Sequence, residues 1–447
     1  LQVNLPIRYF FAQLQSEEGQ NLTEAVPNLR LNVEKEQSST FASVHPTLVN
    51  RGDGSYIARV RIFNSCERLS ISLITQVLSF LIQAAFYFIS TTRLLQEECL
   101  CPPSSLPSTT DWIEQAKCDT EPQLERDLSK FDRIDFSSVL NEVVERFGQH
   151  SRSYSTCHYA IKGNKIYRNC FGEYVGFASF ADDILLSITR KMLLPDTQFI
   201  MNLGDYPLSH ESRGVKLPII SWCGSTETLD IVVPTYSLTN TLLRGELFSP
   251  LHDPFSSHPI PWSEKKDTAI FRGRDSNQLR LDLARLSLDA PDLLDAGITR
   301  YFFFDKEKYP KTKPSVAMAD FFKHRFIISV DGTVAAYRLP YLLAGDSLVL
   351  KSDSKHYEHF YSRLVPYNHF VPFDKNNVVE TISNMKQFAI DYLQPHNIYC
   401  YYARFFEAYS NRLVDQEEIS IDGMEEIPQS GRRDCDCGRI SRVGKLE

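Results

Sequence analysis

The chain has 447 residues, 43% of them hydrophobic and 23% charged, with a formal net charge of −8. That length suits two or three domains of ordinary globular composition, and an acidic chain without a basic stripe excludes nucleic acid as a main partner. The 10 cysteines, some at Cys-x-Cys spacing as in Cys99–Cys101 and Cys435–Cys437, point to an oxidising compartment.

In chain order, residues 1–68 read as β structure. Ile7–Phe11 is a short apolar strand, and Asp53–Ile62 alternates with period two after a turn, which predicts strands of a β-sandwich. Asn21, Leu22 and Thr23 form an N-glycosylation sequon. From Leu69 to Ile89 the chain is almost uncharged and long enough to cross a bilayer. Ser72, Thr75, Gln76 and Gln83 argue against a span, and a single crossing there would separate two domains. Residues 69–98 are therefore expected to be a divergent apolar connector that leaves the sandwich incomplete, and no membrane partner is expected.

The next strong signal is Gln198–Pro207. An apolar strand ends in Gly204-Asp205, which places a carboxylate at the C-terminal edge of a sheet, where open α/β folds bind ligands. A turn or capping role for Asp205 is the structural alternative. Thr268–Phe271 then reads as a buried strand running into Arg272, Gly273, Arg274, Asp275 and Ser276, followed by a helix with apolar positions Leu279, Leu283 and Leu286. Asp275 or Ser276 is its expected cap, and Gly273 is expected to take a positive φ. Arginine forks match phosphate oxygens, although these arginines could instead pair with Asp267, Asp275 or Asp282.

The third signal is the apolar run Arg325–Val330 followed by Asp331, Gly332, Thr333, Val334, Ala335, Ala336, Tyr337 and Arg338. Strand, tight turn and helix start present backbone amides to an anion, with Arg338 expected about one turn into the helix. Leu348–Lys351 is the next strand and completes a βαβ unit. Small residues at such a turn also serve plain helix packing.

The order of five motifs, Asn202–Pro207, Ser221–Thr226, Asp230–Tyr236, Phe271–Ser276 and Asp331–Arg338, resembles the protein O-glucosyltransferases of the Rumi and CAP10-like family. The chain is most similar to the KDEL-motif-containing branch, which carries a filamin-type immunoglobulin-like domain before the transferase. The resemblance runs from about Cys99 to Leu413. It implies an α/β GT-B fold with two Rossmann-like lobes, an N-terminal one over 99–255 carrying the catalytic aspartate and a C-terminal one over 256–413 holding the donor, preceded by the filamin-like sandwich of 1–68 and followed by a polar tail over 414–447. It implies Asp205 as general base, and Arg272, Gly273, Arg274, Ser276 and the run Thr333–Arg338 as the binding site for a UDP-sugar. The implied reaction moves glucose, or xylose, from UDP to serine hydroxyls of EGF-like repeats with inversion and without a metal ion or cofactor.

The resemblance also implies disulfides that pair Cys99 and Cys101 with Cys118 and Cys400 in an open order, and a further bridge between Cys157 and Cys170. It places the chain in the endoplasmic reticulum lumen, although the tail ends Gly444–Glu447 rather than in Lys-Asp-Glu-Leu. The first residue is not Met and no signal peptide is visible, so a mature or truncated chain is expected. Between Asn377 and Phe388 the chain is shorter than the family pattern. Asp434 and Asp436 mimic an Asp-x-Asp metal motif in a polar tail, Tyr301–Phe304 reads as core or cleft wall, and His356 with His359 reads as a surface helix. Two other function classes compete with the enzyme. One is a catalytically silent folding-assistance protein on the same scaffold, the other an interaction protein acting through residues 1–68 alone.

Overall fold

The computed structural model describes residues 7–16, 20–24, 26, 29–35, 44–50, 55–62, 66–74, 79–88, 100–148, 155–172, 175–214, 216–243, 260–372, 391–393, 395–414 and 419–429. Cys99, the stretch 377–388, the Asp434–Asp436 motif, the Cys435–Cys437 pair and the C-terminal tetrapeptide lie outside the described residues.

The first unit is built of two three-stranded antiparallel sheets. Strands β1 (Ile7–Gln13), β4 (Ser55–Ile62) and β3 (Val44–Asn50) form one in the order β1-β4-β3. Strands β2 (Arg30–Lys35), β5 (Cys66–Ile74) and β6 (Ser79–Phe88) form the other in the order β2-β5-β6. Leu14, Tyr56 and Leu73 are buried together, with Ala12, Leu31 and Leu48 packed around them, so side chains from both sheets share one core. The apolar stretch after Leu69 is therefore no connector: Arg30–Lys35 pairs with Leu69–Ile74, and β5 pairs onward with β6. A continuous apolar run satisfies its backbone equally well as paired strands or as a spanning helix, and here it pairs. No helix among the described residues is long and apolar enough to cross a membrane.

After helices α1 (Thr109–Ala116), α2 (Pro122–Leu128) and α3 (Phe136–Phe147) comes a mixed sheet. Its strands are β7 (Ser155–Lys162), β8 (Lys165–Gly172), β9 (Thr197–Asn202), β10 (Ile219–Ser221) and β12 (Ile231–Val232), with helix α4 (Ala178–Thr189) after β8 and α5 (Tyr236–Leu243) after β12. The short strand β11 (Gly224–Ser225) stands apart and pairs elsewhere. Strands β9, β10 and β12 run parallel, so their C-terminal ends open on one edge.

A second, wholly parallel sheet follows. It contains β13 (Lys266–Arg274), β14 (Leu294–Arg300), β15 (His324–Ser329) and β16 (Leu348–Lys351), in the order β14-β13-β15-β16. Helix α6 (Gln278–Asp289) links the first pair, α7 (Met318–Phe321) precedes β15, and α8 (Leu339–Leu343) links β15 to β16. Chain order reverses direction between β13 and β15, which creates a crevice beyond their C-terminal ends. Strand β17 (His356–Tyr357) then returns to pair with β11, joining the two α/β parts; His356 and His359 are buried here rather than displayed on a surface helix.

Two boundaries differ from those read in the sequence. The helix Pro395–Ser410 packs on the first α/β part: its Tyr401 hydroxyl donates to the Val232 carbonyl at 2.7 Å, and its Cys400 is bridged to Cys118. Strand β18 (Glu425–Glu426) adds an edge to the mixed sheet beside β8, so the segment after 414 is not simply a polar tail. Amphipathic pattern shows that a helix exists but not which part it closes onto.

Cys118 and Cys400 are bonded to each other, not to Cys99 and Cys101 as the resemblance implied; Cys157–Cys170 is the other described bridge, and Cys101 is also disulfide-bonded. Cys118 and Cys400 are 282 residues apart, so their bond removes a large loop-closure entropy from the unfolded chain. Replacing both by Ala should lower unfolding free energy by about 2–5 kcal/mol in urea titrations at fixed redox potential. A midpoint equal to that of the parent chain would remove this bridge as the fastener of the helix Pro395–Ser410 to the first α/β part.

Candidate active site

Asp205 follows β9 on a loop held from below by two polar side chains. Asn202 Nδ2 donates to the Tyr206 carbonyl at 2.8 Å and to Ser221 Oγ at 3.1 Å, while its Oδ1 accepts from the Gly204 amide at 2.9 Å. The fully buried Asp230 accepts from the amides of Leu208 and Ser209 at 2.9 and 2.8 Å and from Ser221 Oγ at 2.6 Å. Burial pushes the Asp230 carboxyl up to about 6 against those three donors. With its backbone fixed, Asp205 projects from the sheet edge and opens to solvent. The surrounding protein still raises its carboxyl above the ordinary carboxylate value by desolvation, opposed by a hydrogen bond from the Tyr236 hydroxyl.

Tyr236 begins α5 and is boxed in by aromatic rings, with Trp222 at 5.8 Å and Tyr337 at 5.6 Å, both edge-on. Tyr337 belongs to the loop after β15, and its hydroxyl donates to the Asp205 carbonyl at 3.4 Å. The two sheet edges therefore meet at Asp205.

On the facing edge the principal organiser is Arg280, in the first turn of α6. Its Nε donates to the Asp331 carbonyl at 2.8 Å and its Nη2 to the Val330 carbonyl at 2.8 Å. Nη1 donates to the Arg274 carbonyl at 3.2 Å and to Ser276 Oγ at 3.1 Å. One guanidinium thus ties the exit of β13 to the exit of β15 across the crevice. Burial, with the charge of Arg338 adding, pulls it down to about 10, so it stays charged at neutral pH. Arg338 lies beside it: its Nη1 donates to the Arg272 carbonyl at 2.6 Å, and its guanidinium lies over the Phe271 ring. Among the described residues no carboxylate forms an ion pair with Arg338.

Both glycines of this edge are required by close approach. A Cβ on Gly273 would come within 2.8 Å of the Phe271 ring and 3.2 Å of Arg280, and one on Gly332 within 2.9 Å of Ser276 Oγ. Gly273 does not take the expected positive φ but closes strand β13.

The remaining expected site residues fall into two groups. Thr333 is exposed on the loop, whereas Val334 and Ala335 are buried against Cys223, and the Ala336 amide is capped by Asp331 at 3.2 Å. Arg338 caps α8 rather than standing one turn inside it, and α8 has only 5 residues. Arg272 points to the other face of the strand. There it forms a two-pronged pair with Asp295, both contacts at 2.9 Å, and Lys313 joins the same carboxylate at 2.9 Å. Helix α6 is capped by Asn277, not by Asp275 or Ser276, and buries Arg280, Leu281, Leu283, Ala284 and Ser287, leaving Leu279 and Leu286 exposed. Reading the stripe one position later would have turned Arg280 inward and exposed its role.

A strand-end carboxylate thus stands where the two sheet edges meet, and residues 114–436 match the model described as glycosyl transferase family 90. The chain belongs to that family. It is 40% identical over 468 aligned residues to "Protein O-glucosyltransferase 3" of Homo sapiens, covering 98% of this chain and 90% of that protein. It is 37% identical to "Protein O-glucosyltransferase 2" of Danio rerio, covering 97% and 90%, and 28% identical to "Protein O-glucosyltransferase 1" of Mus musculus, covering 65% and 79%. This family 90 chain is accordingly a glycosyltransferase.

In this glycosyltransferase, removing Arg280 would leave four acceptors at the two strand exits without their charged donor. Arg280→Met should cost at least about 3 kcal/mol of stability, since hydrogen bonds to charged groups contribute about 1.5–3 kcal/mol each. Chemical denaturation of the variant measures this, and a loss below about 0.5 kcal/mol would show that the crevice holds itself open without the clamp.

Proposed function

We propose that this glycosyltransferase transfers glucose from UDP-glucose to serine hydroxyls of EGF-like repeats, with inversion at the anomeric carbon and without a metal ion. UDP-xylose is the alternative donor that the sequence resemblance allows. The reading assigns the two α/β parts to the lobes of a GT-B fold, with the first unit as the filamin-like domain. The single observation that carries it is the meeting of the two sheet edges at Asp205, whose carboxylate is bonded by Tyr236 and whose carbonyl is bonded by Tyr337, the residue before Arg338.

In the proposed reaction the serine oxygen attacks the anomeric carbon as its proton passes to the Asp205 carboxylate. The bond from that carbon to the β-phosphate oxygen breaks and its electron pair leaves with UDP. Arg338 meets the developing negative charge, together with the backbone amide of Thr333. Arg274 stands at the mouth of the same crevice, while Arg272, already held by Asp295, shapes the strand from behind. Disulfides and protein acceptors of this kind fit a secretory-pathway lumen, and the endoplasmic reticulum is the proposed site of action. A catalytically silent scaffold would have no need of an exposed carboxylate raised by desolvation at the meeting of the two sheet edges.

Asp205→Asn keeps shape and removes basicity, so transfer to a folded EGF-like repeat should fall by at least about 100-fold while UDP still binds. Near-parental turnover in a normally folded Asn variant would end the assignment. The pH dependence has a definite sign as well. Because desolvation raises the Asp205 pKa, the active carboxylate form is lost at a higher pH than for an ordinary aspartate as the solution is acidified. Rate profiles between pH 4 and 8 (about the range an elevated carboxyl can reach) should rise with pH in the parent and be flat in Asp205→Asn; a profile already flat down to the ordinary aspartate range would contradict the base.

A further inference from the structure

Outside the chemistry described so far, one exposed feature is built with unusual rigidity. Asp275 is fully buried and spends its carboxylate on a loop: Oδ1 and Oδ2 accept from the Phe302 amide at 2.9 and 2.8 Å, and Oδ2 also accepts from the amides of Phe303 and Phe304, both at 2.8 Å. Burial alone would raise this carboxyl, but the three amides outweigh it and hold it below the usual aspartate value. Tyr301 and Phe304 anchor the loop inward against Leu281, Ala284 and Ile298. Phe302 and Phe303 point out, 51% and 66% exposed. Two adjacent exposed rings on a loop fixed in this way can serve recognition.

The ring of Phe302 carries two guanidinium groups, Arg274 at 5.2 Å and Arg300 at 4.6 Å. Stacking on a ring leaves the edges of a guanidinium free to donate. Among the described residues neither arginine has a carboxylate partner, although the chain as a whole is acidic. The loop leaves β14 at the same sheet edge as the crevice. It is continuous with the reaction centre through Arg274, whose charge reaches Tyr236, the hydrogen-bond partner of Asp205.

From this geometry we infer that Phe302, Phe303 and Arg300 form an acceptor-docking ledge, which seats the folded acceptor domain by an apolar side chain against the rings and a carboxylate against Arg300. The inference rests on the proposed transfer to a folded protein acceptor. The charge of the ledge selects an acidic partner, and its aromatic content selects one with an exposed apolar side chain near the acceptor serine. A flexible peptide would gain less, since a preorganised ledge favours a preorganised partner.

The test uses the whole chain with Phe303→Ala and Arg300→Glu, both at exposed positions. Each variant is assayed for transfer to a folded EGF-like repeat, for UDP-glucose hydrolysis without acceptor, and for UDP affinity by calorimetry. The KM for the repeat should rise at least about tenfold, the scale of an interface hot spot, while hydrolysis and UDP affinity stay within about twofold. A repeat whose acidic residue near the serine is replaced by Lys should restore part of the loss in Arg300→Glu. An unchanged acceptor KM in both variants, with normal parental transfer, overturns the ledge alone. A changed UDP affinity with an unchanged acceptor KM makes the loop a wall of the donor site and also overturns it. If the parent chain itself transfers to no folded repeat, the proposed reaction fails, and the ledge with it.

Discussion

The arrangement depends on a buried cation shared between two strand exits. In a parallel sheet the crevice lies where neighbouring strands send their connections in opposite directions, and the pairing of β13 with β15 ends at Ile270 and Ile327, short of the two exits. Arg280 ties the exits together, because a guanidinium has five donors in a fixed plane and can satisfy the Val330, Asp331 and Arg274 carbonyls and Ser276 at once. Burying a cation without a paired carboxylate is tolerable only when its donors are filled in this way. The glycines at 273 and 332 follow from it, since any side chain there would meet Arg280 or Ser276.

On the opposite edge the logic is reversed, with buried acceptors fixing a loop so that one carboxylate can project. Asn202 and Asp230 satisfy the backbone around residues 204–209, leaving the Asp205 carboxylate to interact with Tyr236. Tyr337 spans the two edges, with its ring against Tyr236 and its hydroxyl on the Asp205 carbonyl. The proposed base and the proposed anion site are therefore positioned by one contact chain.

Much of this was legible in the sequence where a short-range pattern carries the information. The ends of β9, β13 and β15, and hence Asp205, Gly273 and the run from Asp331, are marked by apolar strands running into polar turns. What escaped depends on long-range pairing. The pair of Arg272 with Asp295, 23 residues away on β14, escaped because the two become neighbours only through strand register. Arg280 was hidden because the apolar stripe of α6 could be drawn through 279, 283 and 286 equally well, and a buried arginine breaks any hydrophobic stripe. The hairpin β5–β6 was invisible for the opposite reason, since an unbroken apolar run carries no period from which to tell strand from span.

A structure of the chain bound to UDP decides most directly whether the crevice between β13 and β15 is the donor site. The diphosphate should lie against Arg338 and the amide of Thr333, on the Gly273 face of β13, with Asp205 facing the position of the missing sugar. Diphosphate bound on the Arg272–Asp295 face, or against the first sheet away from Arg338, would contradict that assignment.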